Sequence, residues 1–180
     1  MSLKATLYTT VLALGLLSWA GPVTAATPLD DLVEVGSGQM RWFGMEIYDA
    51  RLLNGGGAAG EATEAGPVAL EITYLRSISS ERLVRTTARE WRRLNRELGL
   101  PDQSRVENWL TQLQAIWPDV APGDQIIAIA QPDGTTHFHG AGGPLGVVDD
   151  PAFGSAFLGI WLHPDTRAPD LRAALIGEHQ

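Results

Sequence analysis

The stretch VALEITYLRSISSERLVRTTAREWRRLNREL, residues 68–98, changes its period partway along. Over Val68–Arg76 the residues alternate. Val68, Leu70, Ile72, Tyr74 and Arg76 share one side of an extended chain, and Ala69, Glu71 and Thr73 share the other. From Ser79/Ser80, which offer an N-cap, the spacing becomes helical. Leu83, Val84, Thr87, Trp91, Leu94 and Leu98 fall in one arc, and Arg82, Arg85, Arg89, Arg92, Arg93 and Arg96 fall in the opposite arc. Gly99 and Pro101 stop that helix. A strand that hands over to an amphipathic helix places sheet and helix in adjacent layers, and the flanking sequence decides how the layers are ordered.

Upstream, Leu32–Leu53 alternates and is rich in β-formers. It reads as a strand, a tight turn at Gly36-Ser37-Gly38 and a longer strand. On the longer strand Arg41, Phe43, Met45 and Ile47 are expected to face one way, and Trp42, Glu46, Tyr48 and Leu52 the other, with Gly44 a candidate bulge that would swap them. Residues 54–66 carry no period and read as an exposed loop. Downstream, Asp102 or Ser104 can cap a second helix whose apolar stripe is Val106, Trp109, Leu110, Leu113, Ile116 and Trp117. Gln125–Ala130 and Thr135–His139 form two strands across a Pro132-Asp133-Gly134 turn. Gly140–Gly146 reads as a glycine-rich loop before a short Val147-Val148 strand, then a nearly wholly apolar helix spans Ala152–Leu162, and a tail helix Pro169–Ile176. Strands, helices, strands, helices without βαβ alternation define an α+β domain, an antiparallel sheet covered on one face.

The N-terminus is a separate unit. Lys4, the sole lysine, precedes an apolar run Leu7–Trp19, a Gly21-Pro22 breaker and the small-residue site Val23-Thr24-Ala25. This is the pattern of a secretory signal peptide over residues 1–25, with the domain in residues 26–180. The run is too short for a membrane span. A periplasmic or secreted protein is expected, and the absence of cysteine removes any need for oxidative folding. Thirteen basic against 21 acidic residues give −8 overall, a field that repels phosphate and argues against nucleic-acid binding.

Chemistry-bearing patterns are few. His137 and His139, at i and i+2 on one strand, have a spacing that zinc or copper accepts, with His163, Asp149 or Asp150 to supply a third ligand. Two half-exposed strand histidines explain the same spacing, and no metal centre is assigned. The glycine-rich segment lacks the Lys-Ser/Thr of a phosphate loop, and no nucleophile elbow is present. The six arginines of the first helix make either a solvated face or a docking face for an acidic partner. Arg76 closes the apolar row Leu70, Ile72, Tyr74, and Arg41 heads the row Phe43, Met45, Ile47. A guanidinium at the mouth of an apolar slot can hold a carboxylate while the slot takes an acyl tail. Arg41, Tyr48, Tyr74 and Arg76 are therefore the candidate ligand-binding residues.

Several segments in series carry a resemblance: Gly36-Ser37-Gly38 with Arg41-Trp42-Phe43-Gly44 and Ile47-Tyr48-Asp49-Ala50-Arg51-Leu52; Leu70-Glu71-Ile72 with Tyr74 and Arg76; Trp117-Pro118-Asp119-Val120 with Gly123-Asp124; and Phe153 with Phe157-Leu158-Gly159-Ile160-Trp161-Leu162. Their order over Leu32–Gly177 resembles the bacterial exported chalcone isomerase-like proteins. The resemblance implies an open-faced sandwich, an antiparallel sheet with helices on one face and an apolar cleft between. The superfamily includes plant enzymes that cyclise chalcones and non-enzymatic members that bind fatty acids. The plant enzymes use an early arginine and a Tyr/Asn pair near the start of the long helix. This chain has Ile78-Ser79-Ser80 and Thr86-Thr87 there, and Arg41 falls later than the family arginine. No catalytic residue is assigned. The expected function is cofactor-free binding of a small apolar or fatty-acid-like ligand. The alternatives are an isomerase or intramolecular lyase of phenolic substrates, with Tyr48 or Tyr74 as proton donor, and an interaction module on the arginine helix.

Overall fold

A computed structural model describes residues 29–55 and 66–178. The expected signal segment and most of the loop after Asn54 lie outside those residues. Six strands, β1 (Val33–Trp42), β2 (Met45–Asn54), β3 (Val68–Tyr74), β4 (Gln125–Ala130), β5 (Thr135–Gly140) and β6 (Gly143–Asp149), form one antiparallel sheet in sequential order. Four helices, α1 (Ser80–Arg93), α2 (Gln103–Ile116), α3 (Phe153–Leu162) and α4 (Pro169–Leu175), complete the α+β sandwich.

The expected helix starts hold. The Ser79 hydroxyl accepts from Arg82 N–H at 3.3 Å, and Asp102 Oδ1 accepts from Arg105 N–H at 3.1 Å. α3 starts one residue later than expected. Asp149 or Asp150 is the cap that the sequence suggests, with Pro151 at the first position, but Asp150 accepts from Ala152 N–H in the preceding turn and Ala152 occupies the cap position without a side-chain bond.

Two glycine segments behave differently from their sequence reading. Gly36-Ser37-Gly38 is no turn but the middle of β1, where α4 crosses the strand. A Cβ on Gly36 would stand 2.1 Å from the Ala174 carbonyl oxygen, so the glycines serve close approach. The turn lies further on, at Phe43 (φ 49°) and Gly44 (φ 77°), the left-handed pair of a two-residue hairpin. Likewise, Gly143–Asp149 is a strand, and only Ala141 and Gly142 connect it to β5.

The core lies between the sheet and the helices. At one end Trp91, Trp109 and Phe153 pack edge to face with centroids 5.4–5.9 Å apart, joined through Phe138 and Phe157 to Trp117. The Trp91 indole also donates to the Ala156 carbonyl at 2.9 Å, tying α1 to α3. The opposite sheet face carries a smaller cluster, Leu53, Ala69, Ile127 and Ile129, against which Leu29 and Leu32 pack. There the buried Glu71 is held by Arg51 at 2.9 and 3.2 Å.

Candidate functional site

The aromatic knot fills only part of the space between the layers. Beyond it a cavity of about 860 Å³ remains, within the ~300–1,000 Å³ of ordinary ligand sites. Its floor is the inward row of β3 and β4: Leu70, Ile72 and Tyr74 beside Ile126 and Ala128. Leu70 and Tyr74 are four residues apart, ~13 Å along a strand rising ~3.3 Å per residue. Phe157, Ile160 and Trp161 of α3, with Leu83 and Thr87 of α1, form the roof. Met40, Trp42, Met45 and Ile47 close the side nearest the β1–β2 turn.

The strand faces explain which candidate residues meet. On β3 simple alternation holds, so Tyr74 lines the cavity and Arg76 stands at its rim, the Arg76 Nε–H donating to the Glu46 carbonyl at 3.0 Å. On the β1–β2 hairpin alternation breaks. Met40 pairs with Tyr48 but Arg41 pairs with Glu46, leaving Ile47 as an extra residue. The turn at Phe43-Gly44 pairs Trp42 with Met45 on the cavity side and Arg41 with Glu46 on the outer face, and the bulge then brings Tyr48 to the cavity side beside Ile47. On the outer face Arg41 donates to Gln39 Oε1 at 2.8 Å and Glu46 Oε1 at 2.9 Å, with its side chain 65% exposed. The expected second rim cation is therefore corrected: Arg41 does not line the cavity, because the chain reverses at Phe43-Gly44, so Arg41 lies on β1 opposite Glu46 and not in one row with Met45 and Ile47 of β2.

Other cations take that place. Arg82 and Arg89, read from the sequence as part of a solvated or docking face, line the cavity with Thr86, and Arg167 joins them from the segment after α3. The lining thus contains four guanidiniums and one carboxylate, Glu90. Glu90 is already held by Arg93 at 3.0 Å and Arg167 at 3.3 Å. Among the described residues Arg76, Arg82 and Arg89 have no carboxylate partner, and Arg89 donates only to Thr86 Oγ1 at 3.0 Å. Arg85 pairs with Glu81, and Arg92 and Arg96 are exposed away from the cavity lining. Arg93 is half-buried and also donates to the Asp165 carbonyl at 2.6 Å, so the six arginines are not one solvent face.

Both tyrosines sit inside. The Tyr48 hydroxyl accepts from Trp161 Nε1–H at 2.8 Å, and burial pushes its pKa up to about 12, with Glu90 adding to the rise against the Trp161 bond. Burial likewise raises Tyr74, with Tyr48 contributing. The two rings meet edge to face at 6.2 Å. The Tyr74 hydroxyl has no protein hydrogen-bond partner among the described residues. Both phenols stay protonated near neutral pH and remain able to donate.

His137 and His139 lie on the outer sheet face, paired in register with Ile129 and Ile127. His137 Nε2 sits 3.0 Å from Thr135 Oγ1, and burial lowers the His139 pKa, with His137 adding to the effect. Two of the three suggested third ligands are engaged elsewhere: His163 accepts from Asp165 N–H at the end of α3, and Asp150 is held by Arg105 and Trp109, while Asp149 pairs in register with Thr135 at the end of β6. Among the described residues no group of three or more His, Cys, Asp or Glu is placed to hold a metal ion.

An open antiparallel sheet roofed by helices, with an apolar chamber between, is the architecture that the family resemblance implies. Residues 31–177 match the family described as chalcone isomerase-like, and the chain belongs to that family. A relative from Haemophilus influenzae, described as an uncharacterized protein, is 27% identical over 154 residues, covering 86% of this chain and 72% of the relative. Among solved structures, a fatty-acid binding protein of Arabidopsis thaliana superposes with a TM-score of 0.64 at 9% identity, over 83% of this chain and 88% of the plant chain. At that identity the likeness establishes the fold.

Proposed function

We propose that the protein binds a single-chain anionic amphiphile, a fatty acid or close analogue, and does not transform it. The observation that carries this is the pairing of an apolar chamber of about 860 Å³ with a rim of four guanidiniums and one already neutralised carboxylate. The tail would lie along Leu70, Ile72 and Ala128. The head would meet Arg76, Arg82 and Arg89, with the Tyr74 hydroxyl as a further donor. The plant protein of the same fold, by its description a fatty-acid binder, supports the reading. With residues 1–25 acting as a secretory leader, the binding would take place in the periplasm or outside the cell.

Native mass spectrometry after mild purification, followed by titration with saturated fatty acids of increasing length, tests it. Each added pair of methylenes should tighten binding about fifteenfold until the chamber is full, at ~0.8 kcal/mol per buried methylene. The Arg76→Met/Arg82→Met variant should weaken the acid at least tenfold and leave the alcohol of equal length almost unchanged. A protein that is recovered empty and takes up no chain refutes the proposal. Equal affinity for acid and alcohol in the wild type would remove the role given to the rim.

A further inference from the structure

We propose that the β1–β2 turn and the arginines around the chamber mouth form one docking surface for an anionic lipid bilayer. This goes beyond ligand binding and does not depend on it. The turn leaves three large apolar side chains exposed: Phe43 at 88% exposure, and Met45 at 45% and Trp42 at 44% at the chamber mouth. They are three of the five exposed large hydrophobic side chains among the described residues, and all three lie within residues 42–45 of a single hairpin tip. Phe43 is also the one described non-glycine residue with positive φ, at 49°. A bulky side chain is disfavoured there, yet the phenyl gains only an edge contact with Trp42 at 5.1 Å. The fold holds an aromatic ring in a strained turn, aimed into solvent, for no visible intramolecular return.

The charge around this tip selects the partner. The chain is acidic, at −8, but the cavity that Trp42 and Met45 help to line has three uncompensated guanidiniums, Arg76, Arg82 and Arg89. Arg76 is fixed to the hairpin itself through the Glu46 carbonyl, 3.0 Å from its Nε. Arg41 on the outer side is neutralised by Glu46. An aromatic wedge flanked by cations, on a molecule otherwise negative, matches an interface with apolar depth below and anionic headgroups above. Tryptophan, phenylalanine and arginine each suit that boundary, their apolar parts buried and their polar tips wet. An acidic protein would satisfy the cations but would not require a wedge at full extension. Because the tip and the chamber mouth share Trp42 and Met45, docking places the chamber against the leaflet, and an amphiphile can pass between them without crossing bulk water.

Flotation of the full chain, as recovered from the cells that express it, with vesicles of phosphatidylglycerol and phosphatidylcholine tests the surface. Vesicles of phosphatidylcholine alone read any attachment that ignores headgroup charge, including one by Leu7–Trp19. Binding should be far stronger on the anionic vesicles and fall with salt. Arg82→Ser/Arg89→Ser should weaken it about thirtyfold. Phe43→Gly removes the wedge and relieves the positive φ, so it should lose about tenfold in vesicle binding while the urea midpoint rises. That combination separates docking from damage to the fold. Anionic vesicles bound no better than neutral ones, or Phe43→Gly floating like wild type, overturns the proposal. So does a Phe43 tip that crosslinks to an acidic protein while ignoring anionic vesicles. None of these readouts needs an occupied chamber, so loss of fatty-acid binding alone leaves them unaffected.

Discussion

Replacing Ala128 by leucine measures where the tail would end. Ala128 sits on β4 between Leu70 of β3 and Phe138 of β5, is 3% exposed, and contributes its methyl to the chamber floor. This row is the deep end, ~13 Å along β3 from Tyr74. Leucine adds three carbons there and displaces about as many methylenes of a fully inserted tail. At ~0.8 kcal/mol each the longest ligands should lose about 2.4 kcal/mol, roughly sixtyfold in Kd. Tails too short to reach the Leu70–Ala128 row should lose nothing. Calorimetric titration with a chain-length series reads the difference, and the optimum should move to shorter acids. The urea midpoint of the empty protein should hold or rise, because the new carbons enter open space. An equal loss at every length, or none at any, refutes the assigned depth. A stability loss of ~1–3 kcal/mol would show that the floor had no room to fill.

Two further outcomes follow from contacts away from the chamber. Gly36→Ala drives a Cβ to 2.1 Å from the Ala174 carbonyl oxygen and 2.7 Å from that of Leu175, backbone atoms that cannot swing aside, so α4 must lift from β1. Urea unfolding should show a loss of ~3 kcal/mol. Asp150 has a pKa of about 2, lowered from 3.8 chiefly by the Arg105 side chain, with Trp109 and Ala152 N–H adding to it. Because the folded value lies below the unfolded one, its stabilisation is complete above about pH 4 and disappears as pH falls from there through about 2. Asp150→Asn should therefore lower the unfolding midpoint at neutral pH and flatten its decline over that acid window.

The layers were legible because they rest on local patterns. Leu70, Ile72, Tyr74 and Arg76 alternate without interruption; β3 delivers the first three to the cavity side, and Arg76, two residues past its end, reaches the rim. Ser79 and Asp102 are short polar residues before periodic runs, and both cap as expected. What escaped depends on partners distant in sequence. The bulge at Ile47 is a mismatch between two strands, invisible in either alone, and it brings Tyr48 to the cavity side; the reversal at Phe43-Gly44, read as one continuous strand, is what takes Arg41 out of the row of Met45 and Ile47. Gly36 and Gly38 look like a turn because glycine serves turns and close approaches equally. Only the position of α4 distinguishes the two uses. Arg82 and Arg89 lie on the polar arc of α1, which a helical wheel assigns to solvent. At the edge of a groove that arc is the rim, and a wheel contains no groove.

The strictly sequential strand order has a kinetic side. β1–β2–β3 and β4–β5–β6 are each chains of neighbours joined by short connections, apart from the segment after Asn54, and can zip up locally. The β3–β4 ladder joins the two halves, and its ends are separated by residues 75–124 with both α1 and α2. That junction pairs Leu70 with Ala128 and Ile72 with Ile126, the floor of the chamber itself. Closing the longest loop is entropically the most costly pairing, so the compartment comes into existence with the final seam, and a half-folded chain has no vessel in which cargo could lodge.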